Sequence, residues 1–419
     1  MPRTYGLISG DSHLQIPPDR WTHRVPAQYR DLAPRRIRMP QGGDGVVGIG
    51  GNLVWGGTGS YAGHTPEDYY PMAPIDYDET VGSGGPEQRV KEQDADGIEA
   101  ELIYAGTPTG LRFIEKLPDH NAHLAMIRAY NDFFAEDYCG YAPERLFGTG
   151  VLPRGTIDEK IAEMEHCKGT GLKAIHITSY PSGRNYPMPE DDRFWAAALD
   201  LEMPITIHTA LAHHTGEGGE PLFNYPTKPS GDLPPDDFVS HLSRYYGWSR
   251  SGGVDAAQMA LDGLFDRFPK LRIYWGENAI GWVPFMYEQM DIEYEKSHFW
   301  AERLYGLKRL ERRPSEYLHE HAVWGFYEDR VGIELRHWLG VENIIWGGDF
   351  PHYPTRWPES RAYLARQLEG VPEEERRKML AQNLIDFLHL DAVAGPVPEL
   401  EAAGSLGSPR IVDGTGGSR

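Results

Sequence analysis

The sequence predicts an α/β protein, a distorted (β/α)8 TIM barrel, and two observations lead to this prediction. Short apolar runs rich in β-branched and aromatic residues alternate with amphipathic segments of helical length along nearly the whole chain. The runs are continuously apolar, as is typical of parallel strands that helices cover from outside. Eight strand–helix units fit a closed barrel better than an open, doubly wound sheet.

The predicted elements follow in order along the chain. Eight strands are predicted at residues 5–9, 100–104, 146–152, 172–178, 204–208, 271–275, 322–326 and 343–346. Helices are predicted between them at residues 120–141, 157–167, 191–201, 255–268, 282–307 and 331–339, because the apolar residues there recur with a helical period. A last helix at residues 373–390 is expected to pack outside the barrel.

Two long insertions, after predicted strands 1 and 5, interrupt this rhythm. Residues 40–93 are rich in Gly with interspersed aromatic residues, and residues 212–248 are rich in Gly, Pro and charged residues. In a barrel both would lie over the C-terminal face, where active sites are found. We interpret them as lid or dimer-contact segments, with surface decoration as the alternative. Residues 1–390 then form a single domain, and residues 391–419 a flexible C-terminal tail.

The composition excludes several classes of protein. With 41 Lys and Arg against 62 Asp and Glu, the formal net charge is −21, which argues against nucleic-acid and anionic-membrane partners. The two cysteines allow neither a disulfide framework nor a cysteine-based metal cluster. The first residues do not read as a signal peptide, and no apolar run is long enough to span a bilayer. We therefore expect a cytoplasmic protein.

Four residues with metal-ligand chemistry stand at predicted strand ends. Asp11 and His13 end the first strand, and residues two apart in an extended strand point the same way, so both can face the barrel interior. His208 ends the fifth strand, and Asp349 follows the eighth in the string Gly-Gly-Asp-Phe-Pro-His. Two imidazoles and two carboxylates at barrel strand ends suit a mononuclear site for Zn²⁺ or another divalent metal.

These motifs resemble those of the amidohydrolase superfamily. More narrowly, they resemble the amidohydrolase-related group that includes 2-amino-3-carboxymuconate-6-semialdehyde decarboxylase and aromatic-acid decarboxylases, with agreement from about residue 7 to residue 390 outside the insertions. The resemblance implies one catalytic divalent metal, Zn²⁺ first with Mn²⁺, Fe²⁺ or Co²⁺ as alternatives, held by Asp11, His13, His208 and Asp349. It also implies a homodimer.

The segment after the sixth predicted strand departs from that group. The decarboxylases of that group usually carry a His in this segment, where it acts as a catalytic acid/base or contacts the substrate. This chain instead has Gly-Glu-Asn-Ala-Ile-Gly-Trp-Val-Pro at residues 276–284. An ungapped alignment on Gly-Trp-x-Pro places the missing His at Asn278, beside Glu277. We predict that Asp349 and Glu277 are catalytic, with Glu277 binding metal or relaying protons.

The expected function is non-oxidative decarboxylation of a small aromatic or unsaturated carboxylic acid, with Asp349 protonating the ring carbon. The first alternative is hydrolysis of an amide, ester or lactone by a water molecule that the metal activates, with Asp349 taking its proton. The second alternative is a catalytically inactive metal-binding scaffold. For a small carboxylated substrate we expect a nearby cation, and the candidates are Arg184, Arg244 and Arg356.

Other residues leave two interpretations open. His176, in the fourth strand, is either a pocket residue or a hydrogen-bonded core His. The pair His213 and His214 either contacts substrate or lies in solvent, and His352 is expected to orient Asp349. Three aromatic residues at strand ends are expected in the core, with the wall of a substrate pocket as the alternative: Trp275, Trp324 and Phe326.

Overall fold

Eight parallel strands form the central sheet of the protein. The computed structural model describes residues 2–40, 42–55, 61–64, 75–106, 114, 117–184, 186–211, 251–305 and 309–400. Within these ranges the strands are β1 (Ile8–Leu14), β2 (Ala100–Ala105), β3 (Leu146–Val151), β4 (Ala174–His176), β5 (Ile205–His208), β6 (Ile273–Gly276), β7 (Ala322–Phe326) and β8 (Ile344–Trp346). Each strand pairs with the next one along the chain.

The sheet curls so that β8 meets β1. Ser12 and Phe350 form an isolated parallel bridge, His13 N donates to Phe350 O at 2.7 Å, and Asp349 N donates to Asp11 O at 2.9 Å. The predicted (β/α)8 barrel is therefore confirmed. Its distortion lies at this seam, where a regular ladder is reduced to a bridge.

The buried hydrophobic residues form two clusters. One cluster fills the inside of the barrel, and the other fills the layer between the sheet and the helices. Alternate residues of a strand point to opposite faces, so neighbouring residues enter different clusters. The interior includes Leu102, Tyr104, Phe147, Tyr274, Val323 and Ile345. The outer layer includes Ile175, Ile205, Ile207, Ile273 and Trp275. Burying an aliphatic or aromatic side chain of this size contributes about 1.5–3 kcal/mol relative to exposure.

The helices cover the outer face. Those described are α1 (Pro86–Asp96), α2 (His120–Asp132), α3 (Ile157–Thr170), α4 (Asp192–Asp200), α5 (Ser251–Leu261), α6 (Leu264–Arg267), α7 (Val283–Tyr305), α8 (Pro314–His321), α9 (Arg330–Glu334), α10 (Arg336–Leu339), α11 (Ser360–Gln367), α12 (Glu373–Arg377) and α13 (Asn383–Phe387). Local sequence sets their ends: α3 starts at a capping box between Thr156 and Glu159 and stops at Gly171, whose φ is 94°. The sequence pattern does not predict three of these helices, α1, α8 and α11.

The structure corrects the predicted first strand. The barrel strand is Ile8–Leu14, whereas Arg3–Tyr5 pairs in parallel with Ala392–Ala394 in a separate two-stranded sheet. The prediction stopped at residue 9 because the next residues, Gly-Asp-Ser-His, are polar, yet all seven residues of β1 are buried. The segment expected to be a flexible tail from residue 391 thus begins with a paired strand.

The structure describes most of the first predicted insertion but none of the second. Around residues 40–93 the described residues form a three-stranded antiparallel sheet of Arg35–Arg38, Asp44–Val47 and Leu53–Trp55. The same stretch ends in α1, so its last part is an ordinary barrel helix. Residues 212–248 lie outside the described residues. Among the described helices, none combines the length and the apolar character that crossing a membrane requires.

Candidate metal centre

Five side chains converge at the mouth of the barrel. Asp11 and His13 lie within β1, His208 ends β5, and Glu277 and Asp349 follow β6 and β8. Each offers one ligand atom, and these atoms all lie within 4.8 Å of one another. Because parallel strands bring their carboxyl ends to one rim, residues far apart in sequence share this site.

Imidazoles and carboxylates are interleaved in the cluster. His13 Nε2 lies 3.0 Å from Asp349 Oδ1 and 3.5 Å from Asp11 Oδ1. His208 Nε2 lies 3.3 Å from Asp11 Oδ1 and 3.2 Å from Glu277 Oε2. Asp349 is 0% exposed and Asp11 is 2% exposed. In so buried a site charges interact more strongly than at the protein surface.

The contacts within the cluster lack hydrogen-bond geometry, which leaves buried polar atoms without partners. These atoms are Asp11 Oδ1, His13 Nε2, His208 Nε2, Asp349 Oδ1 and Asp349 Oδ2. A buried polar atom without a partner costs about 1–3 kcal/mol, so a group of such atoms this close together calls for a shared partner. Imidazole nitrogens and carboxylate oxygens are ligands of zinc and of other divalent transition metals. The residues therefore fit a single divalent ion.

The cluster shifts the protonation of its two imidazoles in opposite directions. Burial lowers the pKa of His208, but the negative charge of Asp11 and of the other carboxylates outweighs burial and raises that pKa to about 9. Burial, followed by the neighbouring His352 and His208, lowers the pKa of His13 well below 6.5. Without a metal ion, His208 is thus the group that carries the positive charge attracted by the carboxylates.

Strained backbone aims the carboxylates that follow β6 and β8. Glu277 has a φ of 53° and Asp349 a φ of 47°, and Thr209, next to His208, has a φ of 58°. A residue other than Gly in this left-handed region costs of order 1–3 kcal/mol and persists only where its surroundings enforce it. Turns of this kind directly after a strand bring both carboxylates back towards the ligands on β1.

Asn278, which aligns with the missing His of the related group, is held by the backbone. Its Nδ2 donates to Gly276 O at 2.8 Å and to Thr209 O at 2.9 Å, and its Oδ1 accepts from Gly252 N at 3.3 Å. Asn278 is 0% exposed. The amide therefore braces the rim, and the neighbouring Glu277 joins the cluster.

One further side chain, His352, contacts the ligands, and a second, Gln15, contacts His352. The ring of His352 stacks on that of His13 with centroids 3.9 Å apart, and His352 Nδ1 lies 3.3 Å from Asp349 Oδ1. This contact agrees with the prediction that His352 orients Asp349. Gln15 contacts His352 Nε2 and was missed. A signal was present, since Gln15 continues the two-residue spacing of Asp11 and His13.

Arg89 links β1, which carries two of the ligands, to β2. Its Nε donates to Glu101 Oε2 at 2.7 Å and its Nη1 to His13 O at 3.2 Å. Its guanidinium lies 4.4 Å from the ring centroid of Phe350, and the side chain is 1% exposed. The sequence offered no signal for this role, because Arg89 falls in a stretch interpreted as an insertion.

The other candidates lie elsewhere. Arg356 forms an ion pair with Glu328 and stacks on Tyr363 at 4.6 Å, and Arg184 is exposed. Arg244, His213 and His214 lie outside the described residues. The expectation that Trp275, Trp324 and Phe326 are core residues is confirmed, since all three are at most 1% exposed and belong to the layer between sheet and helices.

Comparison with known proteins places this site in a family. The profile of a protein family described as Amidohydrolase matches residues 11–390. The chain belongs to this amidohydrolase family. The prediction of an enzyme of the amidohydrolase superfamily, of carboxy-lyase or hydrolase type, is thereby confirmed.

Two relatives of this amidohydrolase are named decarboxylases. Decarboxylase orsB of Emericella nidulans is 24% identical over 270 residues, which cover 62% of this chain and 75% of the relative. Gamma-resorcylate decarboxylase of a Polaromonas species is 22% identical over 315 residues, which cover 71% of this chain and 86% of the relative.

Solved structures share the fold. An amidohydrolase from Mycobacterium avium subsp. paratuberculosis superposes with a TM-score of 0.66 at 18% identity, covering 92% of this chain and 99% of that one. A dihydroxybenzoic acid decarboxylase from Polaromonas, solved with manganese and the inhibitor 2-nitroresorcinol, superposes with a TM-score of 0.54 at 17% identity, covering 92% of this chain and 97% of that one. At such identities the likeness shows the fold alone.

Proposed function

We propose that this amidohydrolase is a metal-dependent decarboxylase of a small aromatic or unsaturated carboxylic acid. The observation that carries the proposal is the buried cluster of two imidazoles and three carboxylates at the barrel mouth. The two relatives named as decarboxylases favour carboxy-lyase chemistry for such a cluster.

The proposed metal ligands are Asp11, His13, His208 and Asp349, and Glu277 lies within reach of the same ion. Zn²⁺ is the first candidate because both imidazoles are typical zinc ligands. Mn²⁺ is the main alternative, since three carboxylates suit manganese and the Polaromonas structure contains it. Elemental analysis of wild type and His208→Ala tests this assignment: we expect about one equivalent of metal in the wild type and its loss in the variant.

The chain's residues supply the proton that decarboxylation requires. A divalent ion at the site would act as a Lewis acid that binds the substrate's carboxylate and an adjacent oxygen. Asp349 gives a proton to the ring carbon that bears the carboxylate. The bond from that carbon to the carboxylate then breaks, its electron pair restores the conjugation of the ring, and CO₂ leaves. Water returns a proton to Asp349, and Glu277, whose ligand oxygen lies within 4.8 Å of that of Asp349, is placed to relay it.

Hydrolysis of an amide, ester or lactone is the second candidate, and one observation favours it. A carboxylated substrate would gain from a free cation, yet Arg356 is committed to Glu328 and Arg184 is exposed. In a hydrolase Asp349 would accept the proton of the attacking water instead of donating one.

The test is CO₂ release from a panel of hydroxybenzoic and unsaturated carboxylic acids by the metal-loaded protein, beside a panel of lactones and amides. Asp349→Asn should lower turnover about 100- to 10,000-fold while leaving the fold intact. Asp96→Asn is the matched control. Asp96 is also a buried carboxylate, but it ends α1, accepts hydrogen bonds from Ser360 and does not belong to the cluster. Hydrolysis without CO₂ release would replace the proposal by the second candidate. Full activity of Asp349→Asn would refute the role of Asp349.

A further inference from the structure

The turn after β6 brings Glu277 into the metal cluster, and its backbone is strained at two positions. Glu277 has a φ of 53°, and Ala279, two residues further on, has a φ of 54°. Glu277 is buried, and its Oε2 lies 3.2 Å from His208 Nε2. A residue other than Gly keeps a left-handed conformation only where the contacts around it enforce that conformation. The turn therefore needs partners that hold it.

A carboxylate from the next loop of the rim is one such partner. Asp329 lies between β7 and α9, and its Oδ2 accepts hydrogen bonds from Ile280 N at 2.5 Å and from Gly281 N at 2.6 Å. These two N–H groups belong to the third and fourth residues after Glu277. Hydrogen bonds from backbone N–H groups to a charged carboxylate are stronger than those to a neutral acceptor. Asp329 thus fixes the direction in which the chain leaves the strained residues.

Asp329 is itself held in place. Its Oδ1 accepts from Gly332 N at 2.8 Å, and its N donates to Gln367 Oε1 at 3.1 Å. A Cβ atom on Gly332 would lie 2.8 Å from Asp329 Oδ2, and a Cβ atom on Gly281 would lie 3.0 Å from Asp329 Oδ1. The two glycines therefore leave the room that the carboxylate needs between the turn and α9.

The turn is bound to both neighbours of β6, which lies between β5 and β7 in the sheet. On the side of β5, Asn278 Nδ2 donates to Thr209 O at 2.9 Å. On the side of β7, the partner is Asp329. Asn278 is part of the turn, whereas Asp329 belongs to a separate loop and not to the cluster of ligand atoms. Asp329 can therefore be changed without altering either a ligand or the sequence of the turn.

We propose that Asp329 is a positioning residue that holds Glu277 at the metal cluster through the backbone of the turn. The inference rests on the proposed function, because it treats the cluster as a metal site that Glu277 completes. An amide in place of the carboxylate has a single acceptor oxygen. It cannot accept from the turn with one oxygen and from Gly332 N with the other, so the turn loses part of its support.

The test is a double-mutant cycle of Asp329→Asn and Glu277→Gln, with the affinity for Mn²⁺ measured by calorimetric titration of the metal-free protein. Asp329→Asn should weaken Mn²⁺ binding about tenfold, as is typical when a group that orients a metal ligand is removed. In the Glu277→Gln background the same change should have almost no effect, because the carboxylate that Asp329 positions is already gone. Adding Ala279→Gly to Asp329→Asn should recover part of the affinity, since Gly adopts a positive φ without strain.

Asp191→Asn is the matched control. Asp191 is buried and also accepts from two backbone N–H groups, Ser182 N at 2.5 Å and Met188 N at 2.8 Å, but neither belongs to the turn that carries Glu277. This variant should bind Mn²⁺ as tightly as wild type does.

The possible results separate the inference from the proposed function. The inference alone is overturned by wild-type affinity in Asp329→Asn, by equal weakening in the two backgrounds, by equal weakening in the control variant, or by no recovery with Ala279→Gly. Binding of Mn²⁺ without CO₂ release from any acid overturns the proposed function alone. Failure of wild type to bind Mn²⁺ overturns both.

Discussion

Binding of a divalent ion should release about one proton near neutral pH, because only a neutral imidazole can bind a metal. Burial lowers the pKa of His208, but Asp11 and the other carboxylates raise it further, to about 9, so His208 is protonated at pH 7.5 in the metal-free protein. His13, whose pKa burial lowers, is already neutral and contributes no proton. Loading the site must therefore displace the proton of His208.

The size of the effect follows from the raised pKa of His208, about 9. At pH 7.5 nearly one proton is released per ion, and between pH 7.0 and 8.5 the apparent association constant should rise about 25-fold. The same shift affects stability. Because the folded pKa exceeds the unfolded value of 6.5, the contribution of His208 to the stability of the metal-free protein is complete below pH 6.5. This contribution, about 3 kcal/mol, is lost as the pH rises through 9.

Calorimetric titration of Mn²⁺ into metal-free protein measures the proton release. Runs at one pH in two buffers of different ionisation enthalpy give the number of protons, and a pH series gives the affinity. His166→Gln is the control, since His166 pairs with Asp132 far from the cluster and should leave the release unchanged. Wild-type affinity that stays constant between pH 7.0 and 8.5, or binding without proton release at pH 7.5, would refute the assignment of the charge to His208.

Two further predictions concern residues that hold the site in place. Asn278→Asp replaces an amide that donates to two backbone carbonyls by a buried carboxylate that these carbonyls repel. It should destabilise the protein in thermal unfolding by about 3 kcal/mol or more, and by more than Asn278→Ala does. An Asp variant as stable as wild type would contradict the bracing role. Arg89→Lys removes the planar donor that binds His13 O, and should weaken manganese binding about tenfold in titrations. The control is Arg128→Lys, because Arg128 is half-exposed and pairs with Glu163; it should leave manganese binding unchanged. Equal manganese affinities of the two variants would exclude a role of Arg89 in positioning His13.

Much of the metal cluster was predictable because its residues stand at recognisable strand ends. Asp11, His13, His208 and Asp349 were placed at one rim from strand order alone, and the structure brings them together. The homodimer and the cytoplasmic location stay predictions.

The failures have physical causes. The first strand was ended too early because its buried polar residues look like a loop in a single sequence, and their burial makes sense only beside the ligands of other strands. No helix is predicted at α1 because the stretch before it is irregular, and therefore no role is predicted for Arg89 within it. Short helices such as α8 and α11 carry too few turns for a clear period.

The sequence by itself determined the alternation of strands and helices, the barrel class and the chemistry available at the strand ends, because these depend on local periodicity and residue type. Only the tertiary structure decided which neighbouring residue enters the cluster, Glu277 or Asn278, and that the ring of His176 packs beside His208. Those outcomes depend on backbone direction at single positions, such as the φ of 53° at Glu277. Contacts from distant strands fix that direction, and no local pattern records them.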